Sequence, residues 1–254
     1  EQNMVGVALG LSSQEKIPFV STFAAFLTRA FDQIRMSAIS QANIKFVGSH
    51  AGVSIGEDGP SQMGLEDVAM FGAIPGSVIL HPADALSTAK LISRMVAHKG
   101  ISYLRTLRTK TPVIYDVEEE FEIGSSRVLR ESQNDQVVVV AAGITVHEAL
   151  TAHEQLEKEG VNVSVVDCYS IKPIDEDTII KIAKKSKTKT IITVEDHFYH
   201  GGLGDMVLNV VADKGIKVVK LAVTGISRSG TPAELLDAAG ISARYIVEKV
   251  KSLV

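Results

Sequence analysis

The sequence predicts an α/β protein made of two α/β domains with mainly parallel sheets, and three observations support this. Short apolar runs rich in Val and Ile alternate with amphipathic segments along most of the chain. Such alternation is typical of parallel βαβ units. The pattern breaks once, in an acidic and polar stretch near the middle of the chain. The length of 254 residues is that of about two domains.

The first half of the chain is predicted to contain four strands. They are expected at residues 17–21, 44–48, 77–81 and 101–105. A helix is predicted around Met4, and a second helix restarts at residues 65–70. Pro82 and Asp84 introduce another helix, which ends at residues 98–100. One long helix is predicted from five apolar residues at helical spacing: Phe23, Phe26, Leu27, Ala30 and Ile34.

The alternation resumes in the second half. Strands are predicted at residues 137–140, 161–166, 190–194 and 216–223, and helices at 145–159, 176–185, 202–212 and 242–253. Between the halves lies a run of acidic residues followed by Ser- and Gly-containing loops, where a domain boundary is expected. We therefore divide the chain into a first domain at 1–118, a linker at 119–135 and a second domain at 136–254.

Composition excludes several classes of protein. The formal net charge of −4 lacks the basic excess of a nucleic-acid-binding protein. No apolar run has the length of a membrane span, and no signal-peptide pattern is present. The single cysteine, Cys168, cannot form an internal disulfide and fits a reducing compartment. We expect a cytoplasmic protein with neither a nucleic-acid nor a membrane partner, and we expect the chain to be part of a longer protein.

The polar loop at residues 49–62 is the strongest candidate site. It follows a buried strand and contains three glycines, Pro60, His50 and two carboxylates. Open α/β sheets bind ligands at the carboxyl ends of their parallel strands. Asp58 could accept hydrogen bonds from hydroxyl groups, and an arginine such as Arg105 or Arg108 suits a phosphate or carboxylate. The alternative is a solvated connection.

Glu1 and the pair Phe23 and Phe26 are further candidates in the first domain. Aromatic residues at helical spacing are core residues in most proteins, so the pair has two possible roles. No Ser-His-Asp order, metal-ligand spacing or phosphate-binding glycine loop is present. The residues alone therefore predict a site for a polar, anionic ligand and leave its chemistry open.

Several motifs together resemble the transketolase family. They are Glu1-Gln2-Asn3-Met4, the stretch 21–35 (STFAAFLTRAFDQIR), Gly48-Ser49-His50, Gly56-Glu57-Asp58-Gly59-Pro60 and Thr193-Val194-Glu195-Asp196-His197. The resemblance covers nearly all of the chain. It implies a pyrimidine-binding domain at residues 1–118 and a transketolase C-terminal domain at 136–254.

The resemblance also implies cofactor and site residues. Transketolases use thiamine diphosphate and a divalent cation, magnesium or calcium, to move a two-carbon ketol unit between sugar phosphates. Glu1 matches the catalytic glutamate that contacts the pyrimidine ring of the cofactor. Phe23, Phe26 and Gln62 match cofactor-binding positions. Substrate contacts are matched by His50 and Arg108, toward the sugar phosphate group, and by Asp58, toward a donor hydroxyl; Arg105 remains an alternative to Arg108.

The implied partner is an amino-terminal transketolase domain or subunit, which would bind the diphosphate and the metal. The assembly would be a homodimer or a heterotetramer, active in the pentose phosphate pathway. Two sibling enzymes share the scaffold: 1-deoxyxylulose-5-phosphate synthase and the β subunits of 2-oxoacid dehydrogenases. His50 favours transketolase over both. A non-catalytic, transketolase-like interface subunit is the remaining alternative. Glu1 argues against it, because a non-catalytic subunit does not need a carboxylate at that position.

Overall fold

The computed structural model describes residues 1–254 and contains two five-stranded sheets. The strands are β1 (Phe19–Phe23), β2 (Lys45–Ser49), β3 (Val78–Leu80), β4 (Ser102–Arg105), β5 (Arg127–Arg130), β6 (Val137–Ala141), β7 (Val163–Asp167), β8 (Ser170–Lys172), β9 (Thr190–Phe198) and β10 (Lys217–Val223). The helices are α1 (Gln2–Ser13), α2 (Phe31–Ile39), α3 (Asp67–Gly72), α4 (Ala85–Ala97), α5 (Ile144–Lys158), α6 (Glu176–Lys185), α7 (Leu203–Val211), α8 (Pro232–Ala238) and α9 (Ala243–Lys251). None of the helices is both long and apolar enough to cross a membrane.

Both sheets are mainly parallel, which confirms the predicted fold class. The first has the order β1-β2-β4-β3-β8 and the second β10-β9-β6-β7-β5. Each sheet has one antiparallel edge strand: β8 pairs with β3, and β5 pairs with β7. Because β1, β2 and β4 are parallel neighbours, the segments that follow them meet at one edge of the first sheet.

The two halves of the chain interlock. Strand β8 belongs to the second half in sequence but completes the first sheet. One cluster of 29 buried apolar residues is shared by both halves and includes Phe46 and Phe71 from the first and Val140, Ile191 and Val207 from the second. The division at residues 119–135 stays a prediction. That segment contains β5, which the polar composition concealed because only alternate residues of this edge strand are partly covered.

The single long helix predicted from Phe23 to Ile34 is wrong. Phe23 ends β1, residues 24–30 form a 3₁₀ turn, and α2 begins only at Phe31. The buried residues of the turn, Ala24, Leu27 and Ala30, recur every three positions, which matches the three residues per turn of a 3₁₀ helix. Over so short a span, apolar residues at this spacing also fit an α-helix.

Candidate functional site

Three aromatic rings stack at the carboxyl edge of the first sheet. The ring centroids of Phe23 and His50 lie 3.9 Å apart, and those of Phe23 and Phe26 lie 5.3 Å apart, with interplanar angles of 10° and 4°. Phe23 ends β1 and pairs in register with Ser49, directly before His50. His50 adopts φ 58°, an uncommon left-handed conformation for a non-glycine residue. The structure therefore brings His50 of the polar loop against Phe23 and Phe26, which the sequence placed on another segment.

Glu1 lies beside this stack. The Thr22 hydroxyl donates to Glu1 Oε1 at 3.3 Å, and Arg29 Nη1 lies 3.5 Å from Glu1 Oε2. The Arg29 guanidinium carbon in turn lies 4.5 Å from the centroid of the Phe26 ring, in cation–π geometry. A cavity of about 450 Å³ opens here, lined by Glu1, Gln2, Asn3 and Arg29. The carboxylate is therefore held in place while one side of it faces open space.

Arg108 is bound to the polar loop. Its Nη1 donates to Asp58 Oδ1 at 3.0 Å and to the Ile55 carbonyl at 3.1 Å. The Thr109 hydroxyl donates to the Ser54 carbonyl at 3.2 Å. The Arg108 side chain is 43% exposed. These contacts, and an ion pair with Glu57 Oε2 at 3.7 Å, all use Nη1, so Nη2 and Nε can still bind a ligand.

The electrostatics of the loop keep His50 neutral near pH 7. Burial lowers the pKa of His50, and the positive charge of Arg108 lowers it further, while Asp58 acts in the opposite direction. Its Nδ1 lies 2.9 Å from the Ser49 hydroxyl. His50 therefore presents an uncharged imidazole, which can donate a single hydrogen bond from one ring nitrogen. Gln62, the last residue of the loop, is half-buried and donates its backbone N–H to Gly59.

Arg105, the alternative phosphate ligand, is a buried structural residue. Its side chain is 1% exposed and forms an ion pair with the fully buried Asp67, at 2.7 Å. Its Nη2 donates to the carbonyls of Gly64 and Asp196, each at 2.8 Å. These contacts leave Arg105 no access to a ligand, so Arg108 is the arginine that can reach one.

Comparison with known proteins identifies the family. The model described as "Transketolase, pyrimidine binding domain" matches residues 1–113, and that described as "Transketolase, C-terminal domain" matches residues 124–246. A solved structure, "Split gene transketolase, inactive beta4 tetramer", superposes with a TM-score of 0.89 at 36% identity, over 100% of this chain and 81% of that one. The chain belongs to the transketolase family.

Longer relatives agree with this assignment. Transketolase-like protein 2 of Mus musculus is 55% identical, and Transketolase of Homo sapiens is 50% identical, each over 100% of this chain. Transketolase from Campylobacter jejuni, at 21% identity and a TM-score of 0.80, shares the fold. The chain spans 41% of the length of the mouse and human relatives.

The second half of the chain places buried polar side chains against the polar loop, contacts that the sequence does not predict. Asp196 and His197 lie at the end of β9 and are buried against the first half. The Asp196 carboxylate accepts N–H bonds from Val53 and Ser54 on the polar loop, at 2.7 and 3.1 Å. In the sequence, the feature that could have indicated these contacts is a run of three ionisable residues, 195–197, at the end of an apolar strand.

His197 is also held neutral. Burial lowers its pKa to about 4, its Nδ1 lies 2.8 Å from the Phe198 carbonyl, and the Ala69 N–H donates to its Nε2 at 3.4 Å. Both ring nitrogens therefore have partners within the chain. No group of three or more His, Cys, Asp or Glu side chains in the chain could hold a metal ion.

Proposed function

We propose that this chain supplies the pyrimidine-binding half of a transketolase site. Together with a diphosphate-binding domain or subunit, it would catalyse transfer of a two-carbon ketol unit between sugar phosphates. One observation carries the proposal: the aromatic stack has Arg29, paired with the Glu1 carboxylate, over its Phe26 ring and the Arg108–Asp58 pair near its His50 ring. Family membership supports the same activity.

The residues fit the pyrimidine ring of thiamine diphosphate. A planar heterocycle needs a flat apolar face and a hydrogen-bonding group at its edge. The Phe26 ring carries one flat group, the guanidinium of the exposed Arg29 side chain, which supports the stacking of a planar group on this ring. When bound, thiamine diphosphate supplies the reactive thiazolium carbon and the electron sink required for ketol transfer.

The chain's own residues have separate roles in this proposal. Glu1 shares a proton with a ring nitrogen, and Thr22 and Arg29 orient its carboxylate. Phe26, backed by Phe23, holds the plane of the ring, and Gln62 contacts the cofactor. Because Glu1 must move a proton at one defined atom, its fixed position contributes directly to the rate.

The substrate is bound at the other side of the stack. Arg108 Nη2 and Nε bind the phosphate group, since planar guanidinium groups match phosphate oxygens in pairs. The neutral His50 adds a hydrogen bond to the same group. Asp58, which already orients Arg108 through Oδ1, accepts a hydrogen bond from a donor hydroxyl through Oδ2.

Magnesium or calcium and the diphosphate would be bound by the partner domain, because the residues of this chain do not fit a cation. The homodimer or heterotetramer, the pentose phosphate pathway and the cytoplasmic location are part of the same proposal. The split-gene relative, described as an inactive beta4 tetramer, supports assembly of such chains with one another and inactivity without a partner.

Reconstitution tests the proposed function. The chain, verified by intact mass, is mixed with an amino-terminal transketolase subunit, thiamine diphosphate and magnesium. We expect ketol transfer from a sugar phosphate donor in the mixture and none from either part alone. Activity of the isolated chain would refute the requirement for a partner.

The same reconstituted mixture distinguishes transketolase from the two alternative functions. Condensation of pyruvate with glyceraldehyde 3-phosphate would indicate a 1-deoxyxylulose-5-phosphate synthase. Assembly with the partner without any turnover would indicate a non-catalytic interface subunit, and both outcomes would overturn the proposal.

A further inference from the structure

The polar loop at residues 49–62 is closed at its base by contacts with the rest of the first half. The Gly52 N–H donates to the Gly64 carbonyl at 2.8 Å, which joins the two sides of the loop. Arg105 Nη2 donates to the same Gly64 carbonyl and to the Asp196 carbonyl. The base of the loop and the end of β9 are therefore both hydrogen-bonded to the buried guanidinium of Arg105.

Within the loop, residues 53–55 form a single 3₁₀ turn that connects two groups of contacts. On its inner side, the N–H groups of Val53 and Ser54 donate to the Asp196 carboxylate. On its outer side, the carbonyls of Ser54 and Ile55 accept bonds from Thr109 and Arg108. Two hydrogen bonds therefore join Asp196 to this turn, and a further one joins the turn to Arg108.

Steric fit supports the same arrangement. Gly52 has φ 82°, and a Cβ atom added there would collide with the Asp196 carboxylate. Added Cβ atoms at Gly56 and Gly59 would crowd Pro232 and Ser229 of the second half. The second half therefore packs closely against three glycines of the loop and leaves little room for another loop conformation.

We infer that Asp196 is a positioning residue for substrate binding: the second domain fixes the substrate-binding loop through two N–H bonds to its carboxylate and thereby sets the position of Arg108. This inference rests on the proposed function and adds to it a task for the C-terminal domain. Asp196 is 1% exposed, so it acts on the substrate only through the loop. Bonds to a carboxylate are stronger than bonds to a neutral acceptor, and the one from Val53 is short, at 2.7 Å.

The first test measures amide hydrogen exchange in the chain itself and needs no activity. In the wild type, we expect the amides of Val53 and Ser54 to exchange far more slowly than those of Glu57 and Asp58 on the same loop. In Asp196→Asn, the side-chain amide would face one of the two N–H donors. Exchange at Val53 and Ser54 should then rise about 10- to 150-fold, the range for losing a hydrogen bond to a charged group.

Asp135→Asn is the matched control. Asp135 is also a buried carboxylate, 5% exposed, and it accepts bonds from the Ser132 N–H and from the hydroxyls of Ser132 and Ser164. It lies at the start of β6, outside the candidate site. This variant should lose stability in a similar way but leave exchange at Val53 and Ser54 unchanged.

The second test uses the assembled enzyme. In Asp196→Asn, we expect KM for sugar phosphates to rise about 10- to 100-fold, the scale of a misplaced binding group. The kcat/KM for hydroxypyruvate, which has no phosphate, should change little, and Asp135→Asn should change neither constant. Thr109→Val removes the outer link and should raise KM for sugar phosphates without faster exchange at Val53 and Ser54.

The two tests fail in different ways. Rapid exchange of Val53 and Ser54 in the wild type, or unchanged exchange in Asp196→Asn, would overturn the inference whatever the chain catalyses. Equal losses with phosphorylated and unphosphorylated donors would also overturn it, because a purely structural role predicts that result. An inactive wild-type assembly together with the expected exchange pattern would refute the proposed function and leave the fixed loop established. If Asp196→Asn does not fold, the wild-type exchange pattern still decides.

Discussion

Replacing Arg105 with methionine should destabilise the chain far more than replacing Arg108 in the same way. Arg105 is 1% exposed, and its partner Asp67 is completely buried. Without the guanidinium, Asp67 Oδ2 keeps only the Tyr103 hydroxyl, at 2.6 Å, while Oδ1 has no partner in the wild type either. Removing one member of a buried ion pair costs about 3–5 kcal/mol because the other charge stays buried. We expect Arg105→Met to fall in this range.

The pH dependence of the stability of Arg105→Met provides a second test of the buried ion pair. Burial acts to raise the pKa of Asp67, but the charge of Arg105 and the hydrogen bonds from Arg105 and Tyr103 hold it below its ordinary value. In Arg105→Met only the Tyr103 hydrogen bond still opposes burial, so the folded-state pKa of Asp67 should exceed the unfolded one. A raised carboxyl pKa means that stability is lost as pH rises through it. Arg105→Met should therefore be least impaired, relative to the wild type, in mildly acidic buffer.

Urea unfolding followed by circular dichroism at two pH values measures both effects. Arg108→Met is the matched control, because its ion pair with Asp58 is half-exposed and such pairs contribute about 0–1 kcal/mol. Asp67→Asn in the Arg105→Met background should recover part of the loss by removing the buried charge. A midpoint for Arg105→Met close to that of Arg108→Met would refute the assignment of Arg105 as a structural residue.

Two further predictions concern the assembled enzyme. Arg108→Ala should raise KM for sugar phosphates about 10- to 150-fold, the effect of losing a charge-assisted hydrogen bond, with a much smaller change for hydroxypyruvate; steady-state kinetics checks this, and equal losses would make Arg108 structural. Glu1→Gln should still bind thiamine diphosphate but slow exchange of the thiazolium C2 proton about 100-fold or more, the scale for losing a positioned acid. NMR after quenching follows that exchange, and wild-type rates would remove Glu1 from the mechanism.

The fold was predictable where apolar periodicity was unambiguous. Strand β6 is a continuous apolar run and therefore appears in the sequence as a buried strand. Helix α8 was missed although Thr231, Pro232 and Glu234 form a capping box with proline at the first turn. It was overlooked because it has only seven residues. Strand β8, with three residues, carries too little pattern to be recognised at all.

Much of the candidate site was found from motifs, but its spatial arrangement was not. Sequence separation does not reveal that His50 stacks on Phe23, because this depends on the register between β1 and β2. The choice between Arg105 and Arg108 was open for a similar reason. Arg105 ends β4 and Arg108 follows the same strand, and only burial distinguishes an arginine paired with Asp67 from one that faces solvent.

The contacts of Asp196 join the second half of the chain to the polar loop. A loop with three glycines loses much conformational entropy when it is ordered, so contacts from outside the loop must offset that cost. The first sheet alone provides the bonds at the base of the loop, but the N–H groups of Val53 and Ser54 are bound by the second half. Any movement between the halves would therefore displace the Ile55 carbonyl and, with it, Arg108. The buried pair of Arg105 and Asp67 lies at this junction, where Arg105 donates to the carbonyls of Gly64 and Asp196 and so opposes such movement.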